Sequence, residues 1–292
     1  SSDLLYVPSG PSISGCGAYS ASKGLCYRTG ILPWLAAAPG KWETDLGIAV
    51  PLTEPIFFYD YLSTNPLGLP ANLMLEDNYQ GRIIAEGVSG LDVIGIPYTL
   101  RILGGALLPA GVREPSVVSA EGAMVVTIAD RSADEVNNAN VHATYKLLNT
   151  DGSVAGQTTA PIIFLDQASS QWRAPITETP KSQQAKPGSI TTVLAVANVS
   201  DNPQAVIVKL FDASGNSVAS GRTPTLGRAQ GGAGGEFAFT LSPFLGIELT
   251  PNPGSTEFRG TVNVEGEGGG NIVPVVLRVS LPGLITETAT AE

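Results

Sequence analysis

The stretch FRGTVNVEG at residues 258–266, followed by IVPVVLRVS at residues 272–280, decides the fold because the chain repeats its pattern. Residues 79–87 read YQGRIIAEG and continue into VIGIPYTLRIL at residues 93–103. Each copy has an aromatic residue, a polar residue and a glycine, then an alternating strand ending in Glu-Gly. A glycine-containing loop and a proline-interrupted strand with Leu-Arg follow. Such repetition indicates tandem β-units.

A second pattern, a strand followed by a hairpin, also occurs twice. VVTIAD (125–130) precedes VHATYKLLNTDGSVAGQTT (141–159), and VLAVAN (193–198) precedes AVIVKLFDASGNSVASGRT (205–223). Small turn-forming residues separate the two apolar runs of each hairpin, as tight β-turns require. The turns are therefore predicted at two places, Asp151-Gly152 and Ser214-Gly215-Asn216.

The composition agrees with a β-rich protein. Hydrophobic residues make up 43% of the 292 residues, which is enough for buried cores. The 34 glycines and 22 prolines suit short strands joined by tight turns. No segment has the apolar period of an amphipathic helix of ordinary length. The predicted fold class is all-β.

The charge balance narrows the function classes. A net charge of −10 and a pI near 4.6 disfavour nucleic-acid binding, which requires clustered lysine and arginine. No apolar run reaches the length of a membrane span, since ILPWLAAAP (31–39) is short and broken by proline. The sequence begins at Ser1 without methionine, either as a trimmed form or after removal of an export signal. We expect an exported protein, extracellular or on the cell surface.

The cysteines favour the same compartment. Cys16 and Cys26 are the two cysteines of the chain and lie close together in a Gly/Ser-rich segment. We predict a disulfide between them, with two free thiols as the alternative. A structural metal site usually has four ligands, and the single histidine, His142, is far off in sequence. A bridged pair indicates an oxidising compartment.

The order of segments along the chain predicts an arm, two domains and a tail. A polar, proline-containing segment at residues 177–188 is the best linker. The region before it contains the repeated pieces in a different order, so it is either one enlarged sandwich or two incomplete units. The predicted parts are an N-terminal arm with the disulfide loop (1–42), a first β-sandwich domain (43–180, or two units, 43–110 and 111–180), a second β-sandwich domain (187–280) and a C-terminal tail (281–292).

The pattern LAVANVSDNPQAVIVKLFDASGNSVA, with the later FAFTLSPFLG, FRGTVNVEG and PVVLRVS, resembles small immunoglobulin-like β-sandwich modules that occur in tandem on secreted bacterial surface proteins. The resemblance covers residues 189–280 well and residues 43–176 more loosely. It implies tandem immunoglobulin-like antiparallel β-sandwiches in an extracellular setting. In such modules Asn198, the turn from Asp212 to Gly215 and the FRGT strand have structural roles, and none is catalytic.

The catalytic alternatives have weak support. Serine or cysteine hydrolysis usually requires a histidine base, and His142 lies in an alternating strand where a half-exposed structural role is expected. Glycosidases use two carboxylates instead, which keeps four acidic candidates open: Asp60, Glu76, Asp77 and Glu86. We rank a carboxylate-based hydrolase lowest and predict that the chain is not an enzyme.

Ligand binding is the stronger alternative. The aromatic stretch FFYDYL and a separate tryptophan could stack on a sugar ring, which would make the chain a carbohydrate-binding or adhesin module that contacts cell-surface glycans. Ordinary packing competes with this interpretation, because alternate residues of a strand point to opposite faces. The candidate ligand aromatics are Phe57, Tyr59, Tyr61 and Trp172.

Two short motifs have a weaker signal. Asp201-Asn202 and the Asp212–Asn216 turn contain oxygen ligands of the kind that calcium prefers, but each is also explained as a turn. Asn198-Val199-Ser200 is an acceptor sequon for N-glycosylation. We predict no cofactor and no metal.

The terminal apolar segments suggest assembly. LLYV near the start and LPGLI near the end lie outside any obvious sandwich. A terminal strand can add to the sheet edge of another subunit, and a head-to-tail contact that does not close grows into a filament. We predict a structural subunit that polymerises with copies of itself; the alternative is that both ends fold back on their own chain. The predicted interface residues are Leu4, Leu5, Tyr6 and Val7 as the donated strand, with Trp34 and Trp42 as anchors.

Overall fold

The fold is taken from a computed structural model. It describes residues 18–20, 25–37, 42–48, 56–63, 73–77, 82–86, 91–94, 99–104, 106–107, 113–114, 120–130, 133–138, 141–183, 188–229, 235–280, 284–287 and 290–291, with side chains mainly from residue 141 onward. The chain is all-β, as predicted: its sheets are antiparallel, and the α-helices of the described residues have six and five residues. None of these helices is long and apolar enough to cross a membrane.

The chain divides into two compact units. The first comprises Ser1–Tyr145 and Pro161–Gln167, and the second comprises Lys146–Ala160 and Ala168–Glu292. These bounds differ from the predicted ones, which placed a single boundary near residues 181–186.

The strands before the second unit's main sheets are β1 (Ala18–Ser20), β2 (Leu25–Ala37), β3 (Trp42–Ile48), β4 (Ile56–Ser63), β5 (Leu73–Asp77), β6 (Arg82–Glu86), β7 (Leu91–Ile94), β8 (Thr99–Gly104), β9 (Ala106–Leu107), β10 (Arg113–Glu114), β11 (Ala120–Asp130), β12 (Val141–Leu148), β13 (Val154–Pro161) and β14 (Ile163–Phe164). Helix α1 (Ala133–Asn138) follows β11. One sheet has the order β1-β2-β11-β4-β7, with β14 also paired to β2, and another has the order β13-β12-β3-β8-β5-β6. Strands β9 and β10 pair separately.

Strand β2 changes the boundary of the predicted arm. Residues 26–37 of β2 pair with β11 over nearly their whole length, from Cys26 opposite Asp130 to Ala37 opposite Ala120. The backbone of this segment is therefore paired within its own sheet. An arm over residues 1–42 is wrong for the described residues from Ala18 onward, because β1 pairs with β2 and β2 is an internal strand of the first unit.

The second unit contains two further sheets. Its strands are β15 (Gln171–Glu178), β16 (Ile190–Asn198), β17 (Val206–Asp212), β18 (Ser217–Arg222), β19 (Glu236–Thr240), β20 (Phe258–Gly266), β21 (Ile272–Ser280), β22 (Leu284–Glu287) and β23 (Thr290–Ala291), with α2 (Leu241–Leu245) after β19. The sheet orders are β18-β17-β20-β15-β23 and β19-β16-β21-β22.

Burial in the second unit follows the sequence patterns. Val206, Val208 and Leu210 of β17 are completely buried and alternate with half-buried residues, as a strand with one covered face requires. In β16 the consecutive residues Leu194–Ala197 are all completely buried. Both faces of β16 are therefore covered, which explains its uninterrupted apolar run.

The predicted linker lies inside the second unit. Strand β15 pairs with β20 from Gln171 opposite Glu265 to Glu178 opposite Phe258, so residues 177 and 178 belong to a sheet. The Thr179 amide then donates to the Ile190 carbonyl at 2.8 Å. Residues between β15 and β16 connect two strands of one unit, and the domain boundary predicted there is corrected.

The end of the chain also pairs within its own unit. Strand β22 lies antiparallel to β21, and β23 pairs with β15 through Trp172 opposite Ala291. The tail was expected to pack on a neighbour. The alternative, that it folds back on its own chain, describes these residues.

Candidate functional site: the open edges of two hairpins

Trp34 belongs to a buried aromatic cluster of the first unit. Its side chain is 8% exposed, meets Trp42 edge-on at 5.6 Å between ring centroids and stacks on Tyr145 at 5.7 Å. The Tyr145 hydroxyl donates to the Trp34 carbonyl at 2.6 Å, and complete burial raises the pKa of Tyr145. Trp34 therefore stabilises its own unit, and its predicted role as a subunit anchor is corrected; half-buried Trp42 packs against it.

Several predicted site residues fall outside the described side chains. Leu4, Leu5, Tyr6, Val7 and Cys16 lie outside the described residues. Cys26 lies in β2 with 4% exposure, and the Cys16–Cys26 disulfide stays a prediction. The backbone of β4 carries three candidate aromatics and one candidate acid in an internal strand, between β11 and β7. The side chains concerned, which are not described, are Phe57, Tyr59, Asp60 and Tyr61; those of Glu76, Asp77 and Glu86 are not described either.

Trp172 is not available to a ligand. The indole is 4% exposed, and its Nε1 donates to the Ile272 carbonyl at 2.9 Å and to the Ser169 carbonyl at 3.1 Å. Because β15 and β21 lie in different sheets, this side chain joins the two sheets of the second unit. The sequence could not distinguish this buried role from a stacking surface.

Asn198, the predicted glycosylation acceptor, is completely buried. Its Nδ2 donates to the carbonyls of Asn202 at 2.9 Å, Gly227 at 3.0 Å and Leu226 at 3.2 Å. The folded second unit leaves no room for a glycan on this nitrogen, so the glycosylation prediction is corrected for the folded chain.

The Asn198 side chain also accepts hydrogen bonds. Its Oδ1 receives the Ser200 hydroxyl at 2.7 Å, the Ser200 amide at 3.0 Å and the Gln204 Nε2 at 2.9 Å. One side-chain amide thus joins the end of β16 to two connections, the one between β16 and β17 and the one between β18 and β19. Buried polar networks of this kind contribute to a fold when every member is satisfied.

The acidic turns also have structural roles. Asp212 Oδ1 accepts the amides of Ser214 at 2.8 Å and Asn216 at 2.9 Å, and its Oδ2 accepts Asn216 Nδ2 at 3.0 Å. Asp201 pairs with Arg228 at 3.2 Å. No group of three or more metal-ligating side chains occurs in the described part of the chain. His142 is half-buried on β12, and burial lowers its pKa.

Two buried carboxyl groups were missed by the sequence analysis. Glu178 is completely buried, its Oε1 accepts the Ser242 hydroxyl, and its Oε2 has no hydrogen-bond partner. Burial raises its pKa, opposed by the hydrogen bonds from Ser242 and Thr192. Its position in phase with Trp172, Ala174 and Ile176 was the available signal. The second group, Glu236, had no such signal because it follows a glycine-rich segment.

Among the described strands, the outer strands of the two repeated hairpins have no second neighbour, so each presents an open edge. Strand β18 is terminal in the sheet β18-β17-β20-β15-β23, and β13 is terminal in the sheet β13-β12-β3-β8-β5-β6. Among the described residues, the exposed large hydrophobic side chains are Val154 at 48% and Val218 at 42%. Both occupy the middle of a repeated Ser-Val-Ala, at or next to the start of the outer strand. The repeat is evident from the sequence, but the exposure of its valine is not.

These edges carry little charge. The one charged residue of β18 is Arg222 at its last position, and it is ion-paired to Glu267 at 2.6 Å. Strand β13 has no charged residue, although Pro161 ends it. Natural sheets usually protect edges with charges, prolines or bulges. The first five residues of β18 have no charged side chain and no proline, although a register shift in the β17–β18 pairing leaves Val218 without a partner on β17.

No protein-family model matches this chain, and no curated protein matches it.

Proposed function

We propose that this chain is a structural subunit of an extracellular filament or surface assembly, and that its copies associate by β-strand addition. The observation that carries the proposal is the uncharged outer edge of β18, with Val218 exposed beside it. An added strand satisfies open backbone groups with main-chain hydrogen bonds, and alternate side chains provide specificity. The edge therefore has the chemistry of an acceptor.

The donated strand in this proposal is Leu4–Val7 of a neighbouring copy. The segment is apolar and uncharged, and the first five residues of β18 are also uncharged, so pairing them buries no unpaired charge. Strands β1 and β2 are not available, because they are paired within their own sheet. The proposed donor therefore lies before β1.

The architecture supports a repeating assembly. We infer that the sheets of the second unit form an immunoglobulin-like sandwich, since the indole of Trp172 joins β15 to β21 across them. A donor at the start of one chain and an acceptor on another give a head-to-tail contact, which extends unless it closes into a ring. Export to an oxidising compartment, where Cys16 and Cys26 form a disulfide, completes the proposal.

The test removes the donor and the acceptor separately. We expect deletion of residues 1–12, and independently Val218→Lys, to give folded monomers where the unchanged chain forms polymers. Negative-stain electron microscopy and sedimentation measure assembly, and circular dichroism checks folding. Thr250→Lys adds the same charge at an exposed position that is not part of β18 and should assemble normally. Polymers from the deleted chain, or dispersed monomers from the unchanged chain, would overturn the proposal.

A further inference from the structure

Glu236, the first residue of β19, is a buried acid without a partner. Its side chain is 5% exposed, and neither carboxylate oxygen has a hydrogen-bond partner in the part of the chain described. In the sheet it lies directly opposite Ala197, which is completely buried. A buried carboxylate in such surroundings is expensive in free energy when ionised.

No described neighbouring group compensates that charge. Strand β16, which pairs with β19, contains no charged residue over Ile190–Asn198, and α2, which follows β19, contains none over Leu241–Leu245. The segment at residues 226–229 packs on Gly235 and carries Arg228, but that guanidinium is paired to Asp201. Burial accordingly raises the pKa of Glu236 to about 7.

The position of the acid gives its ionisation a structural consequence. Strand β19 is a terminal strand of its sheet, has five residues and pairs only with β16 among the described strands. The backbone next to Glu236 is also hydrogen-bonded, because the backbone amide of Asn198, the last residue of β16, donates to the Gly235 carbonyl at 2.8 Å. Loosening this start of β19 would break its pairing with β16, including this hydrogen bond.

The aromatic side chains of β19 would move with the strand. Phe237 and Phe239 are half-buried, and Phe239 stacks on Phe244 at 4.0 Å between ring centroids. Displacement of β19 would expose these rings and the backbone edge of β16.

We propose that Glu236 is a proton-controlled latch on β19: the neutral acid holds the strand against β16, and the carboxylate releases it. The latch concerns the pairing of β19 with β16 and does not rest on the proposed assembly, although Phe244 lies against both Phe239 of β19 and Gly221 of β18. The direction of its pH dependence follows from the linkage between proton binding and strand closure. A raised pKa in the folded state makes the closed strand most favoured at low pH, and closure weakens as the pH rises from about 4.5 to about 7.

Hydrogen exchange of the β19 amides in the full chain tests the latch. After correction for intrinsic exchange rates, we expect the opening constant of β19 to increase about 30-fold between pH 5.5 and pH 8, from the shift of the acid's titration. Glu236→Gln should be flat over this range, since an amide does not titrate. Glu248→Gln, at an exposed position in the same unit, should behave like the unchanged chain.

A second measurement covers the case in which Glu236→Gln does not fold. The carboxyl carbon of Glu236 can be titrated by NMR in the unchanged chain, and we expect its midpoint near neutral pH. A midpoint near 4.5, an opening constant that does not change with pH, or a pH dependence that persists in Glu236→Gln would overturn the proposal.

Discussion

The two repeated hairpins have the same turn and differently built strands. In the turn between β12 and β13, the Asn149 amide donates to Ser153 O at 2.8 Å and the Gly152 amide to Asn149 O at 3.0 Å. Between β17 and β18, the Asp212 amide donates to Asn216 O at 2.9 Å and the Gly215 amide to Asp212 O at 3.0 Å. The backbone of the turn is therefore the feature that the repeat preserves.

The inward-facing residues of the two first strands differ in chemistry. Strand β17 presents Val208 and Leu210, whereas β12 presents Ala143 and Tyr145, all completely buried. Tyr145 combines a large apolar ring with a hydroxyl that requires a partner, and the Trp34 carbonyl supplies it. The two hairpins therefore share their turn and their exposed outer strand, while the buried residues of their first strands differ.

The greatest losses of stability are expected when a buried side chain of either core is truncated. Tyr145→Ala should destabilise the first unit by about 4 kcal/mol and Leu210→Ala the second by about 3 kcal/mol, because each leaves a cavity in a closed core. Tyr145→Phe removes only the hydroxyl and should cost about 1–2 kcal/mol. Urea unfolding followed by tryptophan fluorescence and circular dichroism measures all three. Equal losses for Tyr145→Phe and Tyr145→Ala would contradict the packing role of the ring.

These cores also show what a sequence can and cannot specify. The alternation in VHATYKLL and AVIVKLF predicts which residues face inward, because it depends only on the period of a strand. What covers that face depends on residues far away in sequence, such as Trp34 for Tyr145. For the same reason the burial of Trp172 and Asn198 could not be predicted, and β15 could not be assigned to the second unit.

An intermediate effect tests whether the turns are equivalent. Gly152 has a φ of 82° and Gly215 a φ of 84°, a region that disfavours any side chain. We expect Gly152→Ala and Gly215→Ala each to cost about 1 kcal/mol, since nothing lies within 4 Å of an added Cβ at either position. Thermal unfolding of both variants measures this. A loss confined to one of them would show that the two turns are not equivalent.

A weaker effect on stability is expected at acid pH, where the aspartates of the two turns become protonated. The pKa of Asp151 is lowered by hydrogen bonds from Ser153, and that of Asp212 by hydrogen bonds from Asn216 and Ser214. Both groups therefore contribute stability above their ordinary pKa of 3.8, and the contribution is lost as the pH falls through the lower folded value.

Alanine variants separate the two carboxylates. Asp212→Ala should reduce the acid dependence more than Asp151→Ala does, because Asp212 accepts two backbone amides and Asp151 accepts one. Melting temperatures between pH 2 and pH 6 measure the difference. A larger change for Asp151→Ala would contradict this order.

The turns can be predicted from the sequence, whereas the open sheet edges cannot. Asp-Gly and Ser-Gly-Asn predict their turns because a positive φ selects a few residue types locally. An open edge is a property of the whole sheet, since β18 is terminal only because no other described strand follows it. The exposed valines could be recognised only after the strand order was known.

Because Asn198 is buried in the folded second unit, its sequon can be glycosylated only before that unit folds. A nitrogen that already shares its two hydrogens among three carbonyl oxygens cannot also be bonded to a sugar in the same fold. In a host that glycosylates exported chains, a sugar on Asn198 would identify molecules that were modified before the second unit closed. The occupied fraction would then time the folding of that unit against the arrival of the glycosylating enzyme.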